Sequence, residues 1–157
     1  MTAAREFADA LACVAETPRR VAALVAAIPK ADLRKRGKGG VFSAVEQACH
    51  LRDIEQVGYL LRITRTLEEA NPLLEDIDGA RLAAERDYPS QNIDLALADF
   101  AAARRRSVEL LARATPEQLL RTARFGADTS ITLAGLVAMM REHDDGHLRE
   151  LEDLARS

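Results

Sequence analysis

Apolar residues recur at steps of three and four along four stretches of the chain, the spacing of one buried face of an α-helix. In the first stretch Phe7, Leu11, Val14, Pro18, Val21, Val25 and Ile28 form an unbroken stripe that begins near Ala3 and is closed by Pro29. Pro18 lies inside it and cannot donate to the helical ladder; the unbroken period predicts one kinked helix rather than two. The second stretch opens with a capping box, Ser43-Ala44-Val45-Glu46, and runs through Gln47, His50, Ile54, Val57 and Leu61 to about Leu67. The third covers about Asn92 to Ala112 through Ile93, Leu97, Phe100, Val108 and Leu111, with Arg104 where another apolar residue would fit. The fourth follows Thr132 as N-cap and passes through Leu136, Met140, His143, His147, Leu151 and Leu154.

Between Glu68 and Gln91 the period weakens, with Asn71-Pro72, Asp78-Gly79 and Tyr88-Pro89 as punctuation and a short helix expected over 80–86. A connection this long can carry the chain back along a bundle, so the third helix is expected to run parallel to the second. Thr115-Pro116-Glu117-Gln118 is another capping box, starting a short helix that Gly126 ends, and Thr129 to Thr132 leads into the last helix. The expectation is a single all-α domain over residues 1–157 with four long helices and a long connection between helices two and three. Leu33 to Gly40 combines four cations with three glycines and has no apolar period. It reads as a solvated loop or as a mobile basic lip drawing an anion towards a nearby site.

Composition narrows the function more than the fold. A net charge of −3 and an aromatic share of 4% give neither the field nor the stacking surface of a nucleic-acid binder. The longest apolar run, Val21 to Ile28, is far below the roughly 20 residues that span a bilayer, and the first residues carry no secretory h-region. With only Cys13 and Cys49 for thiols, the expectation is a cytoplasmic protein without membrane or nucleic-acid partners.

Chemistry concentrates in the three histidines. His143 and His147 stand four apart on one helix face, a separation from which two imidazoles can converge on one metal ion, and His50 points towards an apolar side two turns into helix two. If helices two and four are antiparallel the three meet and leave a coordination position open; the alternative is three hydrogen-bonded core histidines. Glu46, Asp53 and Glu150 each lie about one turn from a histidine and are candidates to orient an imidazole, while Asp144 and Asp145 read as solvated. Arg104 is either a guanidinium whose head reaches water or a candidate substrate-binding residue for a carboxylate or thiolate. Cys49 does not share the face of His50 and reads as packing.

The segment Phe42-Ser43-Ala44-Val45-Glu46-Gln47-Ala48-Cys49-His50-Leu51-Arg52-Asp53-Ile54-Glu55 resembles the start of the second helix in the DinB/YfiT-like superfamily, where an aromatic-Ser pair precedes a His-Leu and an acidic residue. Ile131-Thr132-Leu133 leading to His143 and His147 is similar to that superfamily's last helix; its usual tryptophan is Phe42 here. The resemblance implies a four-helix bundle of up-down-down-up order holding one divalent metal ion, nickel, zinc or iron, on His50, His143 and His147. It further implies a metal-dependent enzyme acting on a small-molecule substrate, of thiol S-transferase or hydrolase type, with a low-molecular-weight thiol as candidate co-substrate. The alternative within the same resemblance is a non-catalytic metal-containing stress-response or interaction module, with a homodimer as its assembly.

Overall fold

In a computed structural model that describes residues 2–157, the four apolar stripes form four helical rods. The first is α1 (Ala3–Ala26), capped by the Thr2 hydroxyl. The second joins α2 (Ala44–Asp53), a π-helical turn (Ile54–Tyr59) and α3 (Leu60–Glu68), with helical backbone angles at both joints. After a two-residue strand, β1 (Leu73–Leu74), and the short α4 (Gly79–Glu85), the third rod is α5 (Ile93–Ala112). One turn, α6 (Pro116–Leu119), and a hairpin then lead to the fourth rod, α7 (Leu133–Arg156). Both capping boxes form: Ser43 with Glu46, and Thr115 with Gln118.

The chain is not entirely helical. Thr122–Phe125 (β2) and Thr129–Thr132 (β3) pair antiparallel, with Thr122 opposite Thr132 and Phe125 opposite Thr129, and β1 adds in parallel to β2. Gly126 takes φ of 63° in the hairpin turn, so it ends no helix; α6 stops at Leu119. Here the pattern has period two, with Ala123 buried between exposed Thr122 and Arg124. Arg121 ties this sheet to the second rod by donating to the Thr66 and Glu69 carbonyls, two of the acceptors that the end of α3 leaves open.

Side-chain contacts give the rods their directions. Leu51 packs in one apolar cluster with Phe100 and Ile63 in another with Leu111, while Glu55 meets Ser107 between them. The second rod and α5 therefore advance together. Val14 packs with Met140, Thr17 bonds Asp144, and Val25 packs with Leu148 and Leu151, so α1 and α7 also advance together. The second rod and α7 run oppositely, because Gln47 reaches Glu150 while His50 reaches His143.

Two apolar clusters fill the bundle's ends, each fully buried side chain of the size of Phe100 or Leu136 contributing about 1.5–3 kcal/mol. A polar layer separates them. Arg104, on α5, donates to Asp144 Oδ2 and Oδ1 at 2.6 and 3.0 Å and pairs with Glu55 Oε1 at 2.8 Å. Ser107 donates to Glu55 and Thr17 to Asp144, both at 2.6 Å. Pro18 has no N–H for the Val14 carbonyl, and Arg104 Nη1 donates to that oxygen at 2.8 Å. One guanidinium thus serves all four rods, and α1 continues through its proline as one element.

Two expectations are corrected in this layer. The head of Arg104 is buried at 2% exposure instead of reaching water, and Asp144 is buried rather than solvated. Asp144 belongs to the core stripe of α7, which runs Val137, Met140, Asp144, Leu148 and Leu151, and the Arg104 ion pair is what allows a carboxylate there.

A candidate metal centre between the second rod and the last helix

Because the buried stripe of α7 runs through Asp144, His143 and His147 fall on its edge, partly exposed, and face His50 across the gap between the rods. Nε2 of His143 lies 3.3 Å from Nε2 of His50 and 3.2 Å from Nε2 of His147. One nitrogen from each ring, all within 4.8 Å of one another, forms a set that could hold a metal ion, and no fourth His, Cys, Asp or Glu joins it among the described residues.

The tautomer of His147 is set by its neighbours. Nε2 of the buried Gln47 faces the Glu150 carboxylate, which only accepts, so the amide oxygen points the other way and takes the Nδ1–H of His147 at 2.6 Å. Nε2 of His147 is left as a lone pair directed at the other two rings. His50 is held by shape instead: a Cβ on Gly79 would stand 3.0 Å from its Cε1, so only glycine lets the start of α4 lie against that ring. Phe42 meets His50 edge-on at 5.8 Å, and Tyr59 meets His143 at the same distance. The Nδ1 atoms of His50 and His143 are buried without a protein partner.

Burial lowers all three rings, and repulsion from neighbouring imidazoles adds to it for His50 and His143. His50 is pushed down to about 4 and His143 to about 3, with burial the largest cause in each and His147 next; burial also lowers His147, against the pull of Glu150. Three neutral imidazoles with converging lone pairs fit a borderline divalent cation, and they suit zinc, nickel or iron better than calcium or magnesium.

Of the candidate orienting acids, only Glu150 reaches the cluster: it bonds Gln47 and lies 3.4 Å from His147 Nδ1. Glu46 is occupied by the Ser43 capping box and by Arg36, which donates to both its oxygens at 3.0 and 2.8 Å. That contact also engages the basic loop. Asp53 takes Arg52 and Arg86, each at 2.9 Å, and the Tyr88 hydroxyl at 2.6 Å, pinning the crossover segment onto α2. Cys49 is fully buried and its thiol pushed up by burial, in keeping with packing. Gln47 is the site residue that sequence reasoning passed over. Its position on the His50 face was the available signal, since a buried amide needs partners.

A bundle of four helical rods with three imidazoles converging between two of them defines a helical-bundle protein equipped to hold a metal. The chain belongs to the DinB superfamily, whose family model matches residues 14–151. Among solved structures it is similar to YfiT from Bacillus subtilis, described as a probable metal-dependent hydrolase with an unusual four-helix bundle topology. The likeness has 20% sequence identity and a TM-score of 0.89, and covers 97% of this chain and 87% of that one. At that identity it establishes the fold. No curated protein matches the sequence.

Proposed function

We propose that this chain is a metal-dependent enzyme that acts on a small molecule, as a hydrolase or a thiol S-transferase, with one nickel, zinc or iron ion on His50, His143 and His147. The observation that carries the reading is the convergence of three Nε2 atoms at a half-open edge of the bundle, with the tautomer of one fixed by Gln47. The description of YfiT as a probable hydrolase is consistent with it. A divalent ion held by three neutral imidazoles supplies a Lewis-acidic charge that lowers the pKa of a water or thiol bound at its open position.

The surrounding residues hold the set in place. Gln47 keeps a lone pair on His147, Gly79 admits the backbone beside His50, and the edges of Phe42 and Tyr59 keep water from two of the rings. Arg104, the candidate substrate contact, takes a supporting part in this reading, since Glu55, Asp144 and the Val14 carbonyl enclose its guanidinium. The up-down-down-up order supported by the contact directions belongs to the same proposal, as does a single domain.

The test is elemental analysis of untagged protein beside the His143→Ala variant. About one metal per chain is expected in the parent and almost none in the variant, with helicity by circular dichroism retained. Stoichiometric metal retained by His143→Ala would overturn the assignment. The parent is then assayed for metal-dependent turnover of esters and of thiols with electrophiles.

A further inference from the structure

Two arginines are buried in this protein, Arg104 at 2% and Arg62 at 9% exposure. Arg104 meets two carboxylates. Arg62 meets none among the described residues: its recorded acceptor is the Glu75 backbone carbonyl, 2.9 Å from Nη2. Glu69 pairs with Arg65 and Glu55 with Ser107 and Arg104, while Glu75, whose carbonyl Arg62 bonds, lines the same pocket as that arginine. Taking a cation out of water costs several kcal/mol, which an anion ordinarily offsets. Here the protein provides two aromatic rings instead, Tyr59 at 5.3 Å and Phe125 at 5.1 Å from Cζ. These contribute on the order of 0.5–2 kcal/mol each and leave the charge itself without a counter-charge.

The position of Arg62 connects it to the histidines. The ring of Tyr59 that stacks on its guanidinium also meets His143, and the charge of Arg62 helps keep that imidazole unprotonated. Gly58, in the π-helical turn, lets the crossover approach: a Cβ there would stand 3.1 Å from Ile77. The crossover segment spans both places, with the Glu75 carbonyl on Arg62 and Gly79 against His50. Alongside runs a pocket of about 170 Å³ lined by Leu61, Leu74 and Ile77 and by three charged residues, Arg62, Arg65 and Glu75.

We infer that Arg62 anchors a carboxylate of the substrate whose other end meets the three imidazoles. A planar carboxylate matches the fork of a guanidinium already flanked by two rings and a carbonyl, with fewer rotamers left to order on binding. The inference rests on the metal-centre reading and adds a substrate class to it, molecules with a metal-binding group at one end and a carboxylate at the other. It also moves substrate recognition from Arg104, paired with two carboxylates, to Arg62, paired with none.

The experiment uses cobalt(II)-loaded protein and follows its visible absorption while malonate, succinate, glutarate or acetate is added. Only the dicarboxylates can reach both ends. In the parent at least one of them is expected to bind about tenfold or more tighter than acetate, the worth of one charge-assisted contact. In Arg62→Met that advantage is lost, while the cobalt spectrum and acetate binding are unchanged, showing an intact centre. Arg62→Lys keeps a charge between the rings without the fork and is expected to fall at least about threefold, which covers the case in which the methionine variant does not fold. Dicarboxylates that bind no tighter than acetate to the parent, or that bind either folded variant as well as the parent, overturn the inference and leave the metal reading standing. A parent that takes up no cobalt overturns the metal reading instead.

Discussion

The histidine cluster has an arginine on each flank, and the two flanks are built on opposite plans. Towards α1 and α5, Arg104 pairs with Glu55 and Asp144 and donates to the Val14 carbonyl, leaving its Nε unpartnered, and Thr17 and Ser107 also bond the carboxylates. Towards α3 and the crossover, Arg62 has one carbonyl and two rings, and two glycines let the crossover pack close, Gly58 against Ile77 and Gly79 against His50. The contrast separates two uses of a buried charge. A charge-paired network fixes where the helices sit, and its cation is already neutralised. A charge without an acid partner contributes less to the fold and stays available to an anion.

The largest effect should come from breaking the charge-paired flank. Arg104→Met leaves Glu55 and Asp144 buried without their cation and is expected to cost about 3–5 kcal/mol by urea denaturation. Arg62→Met, with a side chain that still packs between the rings, is expected to cost only about 1 kcal/mol. Equal costs would erase the distinction between the flanks.

Acid comes next and tests the cluster between them. In metal-free protein His50 is held down to about 4 and His143 to about 3, whereas unfolded imidazoles titrate near 6.5. Between about 6.5 and 4 the unfolded chain binds more protons, so stability is full above that window and falls as pH falls through it. The expected slope is up to about 1.4 kcal/mol per pH unit for each of the two rings, read from denaturation curves at pH 7, 6 and 5. His143→Gln should remove one share; a flat profile over this range would mean that the rings are not desolvated.

The smallest effect sharpens how the cluster is held. Gln47→Leu frees the tautomer of His147 and is expected to weaken metal binding about 10- to 100-fold in competition with a chelator, with little change in helicity. A change below about twofold would show that packing alone orients the ring.

The rods were legible in the sequence because each carries a long stripe at helical period between explicit caps, such as Ser43 and Thr132. The three histidines were legible as a candidate set, because spacing put two on one face and an antiparallel second helix would bring the third to them; in the structure one nitrogen of each lies within 4.8 Å of the others. What lay around them was not. Both His143 and Asp144 are compatible with the stripe of α7, and the choice between them depends on Arg104, forty residues away in sequence. The short sheet escaped notice because two four-residue strands leave room for little alternation, and Gly126 suits a helix end as well as a hairpin turn. Arg62 gave no signal, because the ring that covers its far side, Phe125, arrives from that hairpin.

Placing α1 beside α7 also sets a timetable. Thr17 and Asp144 are 127 positions apart, and the Val14 carbonyl waits for Arg104, 90 positions further on. At the pace of synthesis, the first helix spends on the order of ten seconds without the partners that complete it. Contacts of such long sequence separation slow folding relative to a bundle of successive hairpins. The proline that Arg104 compensates in the finished structure is, until then, a weak point in the helix made first, and a natural place for a chaperone to find the chain.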